Sequence, residues 1–208
     1  MKQICVVYNA NSGTGSSRQD IDQVFDDLDV KLNLIPIGDD LDIRLKRAIN
    51  DGAEILVAAG GDGTVNAVAQ VAATAERTLG VLPVGTLNHF AKDLGLPLDL
   101  REAATVIAKG CTQMIDYATV NDRLFVNNSS IGLYHALVRG RERRADKVGK
   151  WPAAGSALVG ALRNLVSPRL HFSVDARLPV SLDGEVVTMN SPLNYATHPA
   201  GLKVCLPA

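Results

Sequence analysis

Aromatic residues and cysteines are scarce in this chain, and each scarcity excludes a class of protein. Phenylalanine, tryptophan and tyrosine make up 4% of the 208 residues, too few for the aromatic platforms that stack single-stranded nucleic acid. The three cysteines (Cys5, Cys111 and Cys205) lie far apart and form no C-x-x-C pair, which argues against a disulfide framework and against a zinc site. We therefore expect free thiols in a reducing compartment.

Excess charge and long apolar runs are lacking as well. The 21 Lys and Arg residues nearly balance the 22 Asp and Glu residues, for a formal net charge of −1, so the whole-chain charge favours no nucleic-acid partner. The four histidines are scattered without the spacing of metal ligands. No run approaches the roughly 18 apolar residues of a membrane-spanning helix, and the start of the chain does not resemble a secretion signal. We expect a cytoplasmic protein.

The most informative stretch joins an apolar run, Ile55–Ala59, to Gly60-Gly61-Asp62-Gly63-Thr64. The run predicts a buried parallel strand, and apolar residues at helical spacing over 65–74 predict a helix after the turn. A glycine turn that opens a helix offers free N–H groups to an anion. Asp62 would repel phosphate there unless it acts through Mg²⁺ or orients a hydroxyl. The alternative is an ordinary turn in which Asp62 is a helix cap.

Two further loops rich in glycine or small polar residues also follow predicted strands. One begins at Asn9 after the strand 3–8, and the other begins at Gly85 after the strand 78–84. Either could be an ordinary strand-to-helix turn. Ligands of parallel sheets bind at the carboxyl ends of the strands, where all three loops would meet. The convergence favours a phosphate-binding edge.

The order of predicted elements divides the chain into two parts. Strands and helices alternate up to about Gly110, which predicts an α/β unit with a parallel sheet. Strand-like segments dominate afterwards, with hairpin turns predicted at Asn121-Asp122 and at Asp183-Gly184. We predict an α/β domain over residues 1–117 and a β-rich domain over residues 118–208.

A basic segment interrupts the second part. Six Lys or Arg residues and two acids lie between Arg139 and Lys150, and Trp151 and an apolar stretch follow directly. This composition is typical of a peripheral contact with an anionic membrane surface. A solvated basic helix beside a core helix explains it equally well.

Together these segments resemble the diacylglycerol kinase catalytic family, in particular the bacterial soluble lipid kinases related to sphingosine kinases. Four matches occur in the family's order: Asn9-Ala10-Asn11-Ser12-Gly13, residues 60–66 (GGDGTVN), residues 85–97 (GTLNHFAKDLGLP) and Leu182-Asp183-Gly184-Glu185. The second motif is shared with NAD kinases, whereas the third points to lipid kinases.

The resemblance implies a nucleotide-binding domain like that of NAD kinase and phosphofructokinase, and transfer of phosphate from ATP to the hydroxyl of a diacylglycerol-like lipid. Asp183 would be the general base, Glu185 would support it, and Asp62 would manage Mg²⁺ or polarise the transfer. The remaining implied residues contact nucleotide: Asn9, Ser12, Gly13, Arg18, Gly60, Gly61, Gly63, Thr64, Gly85, Thr86, Asn88 and Lys92.

The chain departs from the family pattern in composition and in length. Ala67 stands where many members have Glu, and His89 where many have Asp. The β-rich stretch before the acidic motif is short, so the second domain is predicted to be reduced. Unpaired strands could then be covered in a homodimer, or the protein could be an impaired, nucleotide-binding pseudokinase. NAD kinase is a further alternative, supported only by the second motif.

Overall fold

The computed structural model describes residues 1–9, 18–126, 129–131, 169–173, 177–183 and 185–207. The chain forms two compact units, one made of Met1–Tyr117 with Pro199–Ala208 and the other of Ala118–His198. The last ten residues thus pack with the first unit, although they follow the second in sequence. The predicted basic segment and Trp151 lie outside the described residues.

The first unit alternates strands and helices around a parallel sheet. Its sheet has the strand order β2-β1-β3-β4-β11, and each neighbouring pair is parallel. Its elements are β1 (Lys2–Tyr8), α1 (Arg18–Gln23), β2 (Val30–Pro36), α2 (Leu41–Asn50), β3 (Ile55–Ala59), α3 (Asp62–Thr74), β4 (Thr78–Leu82), α4 (His89–Asp93), α5 (Leu100–Lys109) and the first part of β5 (Thr112–Val120), with the end of β11 (Leu193–Cys205).

Burial explains the strand β3, and capping residues explain where the helix α5 begins and ends. All five residues of β3 are buried, as expected for a strand covered on both faces. Asp99 caps α5 by accepting a hydrogen bond from the N–H of Glu102 at 2.9 Å, and Gly110 ends the helix with a left-handed φ of 69°. The predicted α/β unit with a parallel sheet is confirmed.

Helices α3 and α4 differ from the sequence prediction. Helix α3 begins at Asp62, three residues earlier than the apolar periodicity indicates, because Gly63 and Thr64 already belong to its first turn. The five-residue helix α4 was not predicted, because five residues are too few for a periodic pattern.

The second unit is β-rich, as predicted. It contains β6 (Arg123–Phe125), β7 (Ser129–Ile131), β8 (Arg169–Phe172), β9 (Arg177–Leu182), β10 (Glu185–Asn190) and the first part of β11. An antiparallel sheet has the order β10-β9-β7, and β8 pairs antiparallel with β11. Its core is built from Val120, Val180, Leu182, Met189 and Leu193.

Both predicted hairpin turns are present. Asn121 and Asp122 join β5 to β6 with φ angles of 46° and 64°. A two-residue hairpin turn that matches the right-handed twist of its strands requires positive φ at both residues. Asp183 has a φ of 47° in the turn between β9 and β10. Within the described residues, no helix is both long and apolar enough to span a membrane.

Candidate functional site

The topology of the first unit marks one edge of its sheet as the place for a ligand. The strand order reverses between β1 and β3, and ligands of such sheets bind outside the carboxyl ends of the strands at the reversal. The main chains of the loops there are linked, since the N–H of Asn9 donates to the carbonyl of Ala59 at 3.2 Å and that of Gly60 donates to Leu82 at 3.3 Å. The loops after β1, β3 and β4 therefore start side by side.

Glycines allow the second and third loops to approach each other closely. A Cβ atom on Gly85 would overlap Gly61 Cα and would lie 2.8 Å from the Gly61 nitrogen. A Cβ atom on Gly60 would overlap the side chain of Thr64, which is itself only 4% exposed. Because larger residues do not fit, the two predicted nucleotide loops depend on glycine for their packing.

Asp62 links the same two loops through its carboxylate. Its Oδ2 accepts a hydrogen bond from the N–H of His89 at 3.3 Å, and its Oδ1 accepts one from the N–H of Phe90 at 3.2 Å. These N–H groups open helix α4, where no residue within the helix can accept from them. Asp62 is thus a helix cap, but for a helix 27 residues further along the chain.

Asn88 shapes the loop that precedes α4. Its Oδ1 accepts from the N–H of Gly85 at 3.0 Å, and its Nδ2 donates to the carbonyls of Pro83 at 3.0 Å and Gly85 at 2.8 Å. Asn88 also adopts a left-handed conformation with φ of 51°. Because Nδ2 donates both of its hydrogens to carbonyls within the loop, only Oδ1 of the amide can accept a further hydrogen bond from a nucleotide.

The charged residues predicted to bind phosphate lie at the surface. Arg18 is exposed at the first position of α1, and Lys92 is exposed in α4. Thr86 is exposed in the loop after β4. Ser12 and Gly13, also predicted to contact nucleotide, lie outside the described residues.

The acidic motif belongs to the second unit, where a main-chain contact orients Asp183. Its Oδ2 accepts a hydrogen bond from the N–H of Val126 at 2.9 Å. Glu185 is the first residue of β10, and its main chain pairs with Leu182. Asp183 therefore lies in the turn of the hairpin between β9 and β10, and Glu185 begins the second strand of that hairpin.

A polar pair beside the core of the second unit was missed by sequence reasoning. The hydroxyls of Ser129 and Tyr195 are 3.0 Å apart, and the ring of Phe125 meets that of Tyr195 edge to face, with 6.2 Å between centroids. Burial raises the pKa of Tyr195, an effect that the Ser129 hydrogen bond partly offsets. The residues come from β6, β7 and β11, so no local pattern in the sequence could have indicated the pair.

Asn66 was also missed, although it lies within the matched motif. Its Oδ1 atom is buried and has no hydrogen-bond partner. In the structure Asn66 follows Asp62 by four residues within α3, so the two residues lie on the same face of the helix.

The sequence of the first unit matches a known family. The profile described as "Diacylglycerol kinase catalytic domain" matches residues 3–120, more than half of the chain. The chain therefore belongs to the diacylglycerol kinase catalytic-domain family, as the motifs predicted.

Individual relatives agree with this assignment. A diacylglycerol kinase of Staphylococcus carnosus is 40% identical over 95 residues, which cover 45% of this chain and 31% of the relative. A diacylglycerol kinase of Bacillus subtilis is 33% identical over 135 residues, which cover 61% of this chain and 45% of the relative. The matches thus span less than half the length of these relatives.

The fold is also shared with a solved structure. The crystal structure of a diacylglycerol kinase from Bacillus anthracis superposes with a TM-score of 0.69, covering 99% of this chain and 97% of that chain. The two sequences are 18% identical, so this likeness concerns the fold.

Proposed function

We propose that the protein is an ATP-dependent lipid kinase that phosphorylates the hydroxyl of a diacylglycerol-like lipid. The observation that carries the proposal is the link between the two signature loops, in which Asp62 of the first accepts hydrogen bonds from His89 and Phe90 of the second. These hydrogen bonds hold the two loops next to each other at the edge of the sheet where ligands bind. Membership of the diacylglycerol kinase family supports a kinase.

On this proposal the first unit binds the nucleotide by main-chain groups. Helix α3 has 13 residues and begins directly after Gly61; the first N–H groups of a helix have no acceptor within it, which makes this end a favourable place for phosphate. Gly63, Thr64 and Gly85 complete the cradle, together with Asn9, Ser12, Gly13, Thr86 and Asn88. Arg18 and Lys92 offset phosphate charge from the exposed rim.

Magnesium fits this arrangement as a partner of the nucleotide. The described residues contain no group of three or more His, Cys, Asp or Glu side chains that could enclose a metal ion. Mg²⁺ in phosphoryl-transfer sites is instead held by one or two carboxylates together with phosphates and water, and Asp62 supplies such a carboxylate. When bound, the ion neutralises charge on the transferred phosphoryl group.

In the second unit, Asp183 would take the proton of the lipid hydroxyl. The hydrogen bond from the Val126 N–H to Oδ2 holds the carboxylate in one orientation, which a positioned general base requires. Glu185 would support Asp183 or the metal.

The lipid must be reached at a membrane surface. We propose that the basic segment between Arg139 and Lys150, with Trp151, contacts anionic headgroups, because its composition suits such a contact. A homodimer that covers unpaired strands is part of the same proposal. The protein would then act as a cytoplasmic, peripherally membrane-associated enzyme.

The test is transfer of labelled γ-phosphate from Mg-ATP to lipids in mixed micelles. The panel contains diacylglycerol, monoacylglycerol, sphingosine and phosphatidylglycerol, with NAD as a soluble control. We expect transfer to diacylglycerol, lost in Asp183→Ala and in Asp183→Asn. The asparagine variant keeps an acceptor for the Val126 N–H, so its loss would be chemical rather than structural.

Other outcomes select the alternatives. ATP binding without transfer to any lipid would favour the pseudokinase. Transfer to NAD alone would favour NAD kinase, and full activity of Asp183→Asn would remove Asp183 from its role as base.

A further inference from the structure

Tyr195 of β11 contacts two other strands of the second unit through different parts of its side chain. Its hydroxyl is hydrogen-bonded to the hydroxyl of Ser129 on β7 at 3.0 Å. Its ring meets that of Phe125 on β6 edge to face, with 6.2 Å between centroids and 79° between the ring planes, an arrangement that aromatic pairs favour. One side chain thus joins β6, β7 and β11.

Both contacts lie next to residues that hold Asp183 in place. Phe125 is followed by Val126, whose N–H donates to Oδ2 of Asp183 at 2.9 Å. Ser129 lies directly opposite Leu182 in the pairing of β7 with β9, and Asp183 is the next residue after Leu182. A shift of β6 or β7 would therefore move either the N–H group that binds the carboxylate or the turn that carries it.

We propose that Tyr195 is a positioning residue for Asp183. This inference rests on the proposed function, in which Asp183 takes the proton of the lipid hydroxyl. A general base must lie within hydrogen-bond reach of the proton that it accepts, and a displacement of about 1 Å can slow a reaction by about 100-fold. By its contacts with β6 and β7, Tyr195 keeps the Val126 N–H and the carboxylate of Asp183 in a fixed relation to each other.

The surroundings of Tyr195 suit it to this role. Tyr195 and Phe125 both pack against the core of the second unit, which gives the contact between their rings a firm base. Ser129 is only 9% exposed, so water does not readily replace its bond to Tyr195. Asp183 requires such support, because its φ of 47° is a conformation that residues other than glycine keep only where the surrounding structure enforces it.

Two variants remove the hydroxyl bond from either side. Tyr195→Phe deletes one hydroxyl and keeps the ring contact with Phe125, and Ser129→Ala deletes the other hydroxyl. We expect each to lower kcat for lipid phosphorylation by about 10- to 100-fold and to leave KM for Mg-ATP unchanged, because the nucleotide loops belong to the first unit. The double variant should lose no more than either single variant, since both changes remove the same bond.

The variant Thr119→Val is the matched control for a loss of stability. The hydroxyl of Thr119 is hydrogen-bonded to Nε2 of His198 at 3.1 Å within the same unit. Thr119→Val and Tyr195→Phe should lower the thermal midpoint by similar amounts, about 2–4 °C, but Thr119→Val should keep the parent kcat. An equal fall of kcat in both variants would assign the effect to stability and would overturn the inference.

Amide hydrogen exchange of Val126, measured by NMR, reports the position of the carboxylate without any need for turnover. We expect exchange to become faster by about 10-fold in Tyr195→Phe and in Ser129→Ala, because the hydrogen bond that protects this N–H opens more often. Thr119→Val should exchange as the parent protein does. Asp183→Ala gives the rate in the absence of the carboxylate.

The two measurements keep this inference apart from the proposed function. Parent values of kcat and of Val126 exchange in Tyr195→Phe would overturn only the role of Tyr195. Losses that add up in the double variant would also overturn it, because the two hydroxyls would then act separately. A parent protein that phosphorylates no lipid would reject the proposed function, and the exchange rates would then decide whether Tyr195 positions Asp183.

Discussion

The main chains of Gly61 and Gly85 are in close contact, and the space between them admits a side chain on Gly61 but not on Gly85. A Cβ atom on Gly85 would overlap Gly61 Cα, whereas a Cβ atom on Gly61 would meet Gly85 Cα at 3.6 Å, an ordinary contact. Gly61 also has an extended backbone, with φ of −85° and ψ of −174°, which any residue can adopt. The two loops therefore depend on glycine at residue 85 in particular.

The first prediction compares alanine at these two positions. Gly85→Ala should lower the free energy of unfolding by about 1–3 kcal/mol, because the loops must separate to admit the methyl group. Gly61→Ala should leave stability unchanged or raise it by up to about 1 kcal/mol, since alanine restricts the unfolded chain. Urea unfolding of both variants measures the difference. Equal destabilisation would show that the contact is not what constrains Gly85.

The second prediction separates the charge of Asp62 from its hydrogen bonds. Asp62→Ala removes the cap of α4 and should lower the free energy of unfolding by about 1 kcal/mol. Asp62→Asn keeps a carbonyl oxygen for one of the two N–H groups and should fold with nearly the parent thermal midpoint. Both variants should lose phosphoryl transfer if the charge is needed there. Transfer by Asp62→Asn at the parent rate would reduce Asp62 to a structural cap.

The third prediction concerns the thiols, which the structure shows free, as predicted. Cys111 is exposed, whereas Cys5 and Cys205 are buried. A thiol must ionise to react, and burial raises the pKa of Cys5 and of Cys205 to about 11. One equivalent of dithiobis-nitrobenzoate should therefore react quickly with the native protein and three with the unfolded protein. Rapid reaction of a second thiol would contradict the burial.

The same thiols predict a loss of stability at alkaline pH. Their pKa values are higher in the folded state than the ordinary value of 9.0, so the folded chain retains protons that the unfolded chain releases. The free energy of unfolding should thus fall as pH rises from about 9 towards 11. The double variant Cys5→Ala/Cys205→Ala should show a shallower fall over this range in urea unfolding. An identical slope in both proteins would assign the effect to other groups.

The fourth prediction tests the basic segment, which was identified from sequence alone. Changing Arg141, Arg143 and Arg144 to Gln should weaken binding to anionic vesicles at low salt, by about 1 kcal/mol per charge near the surface. Sedimentation with phosphatidylglycerol vesicles measures the binding. Added salt should reduce the difference, because it screens exposed charges.

A matched control removes three exposed charges elsewhere. Lys31, Lys46 and Arg47 are exposed residues of the first unit, and their change to Gln should affect vesicle binding much less. Equal losses in both triple variants would mean that only net charge matters.

Much of the fold followed from local patterns. The bounds of β3 agree with the sequence prediction. Periodicity and caps involve residues within one or two turns of each other, so the sequence displays them directly. Both hairpins were predictable for the same reason, because the turn residues themselves must tolerate positive φ.

The contacts that build the candidate site were not predictable in this way. Asp62 accepts hydrogen bonds from the N–H groups of His89 and Phe90, which lie 27 and 28 residues further along the chain. The same holds for a contact elsewhere in the first unit, where Lys2 donates to the carbonyls of Ala108 and Lys109 at 2.9 Å, at the end of α5. No spacing rule connects such positions.

The sequence by itself determined that this chain belongs to a kinase family, that its first part alternates strands and helices, and where its two hairpin turns lie. Those properties depend on near neighbours and on side-chain type. Only the tertiary structure decided that Asp62 caps α4, that Gly85 cannot bear a side chain, and that Val204 brings β11 back beside Leu79 of β4. Those contacts join distant segments, and packing selects them from many pairings that the sequence alone allows equally.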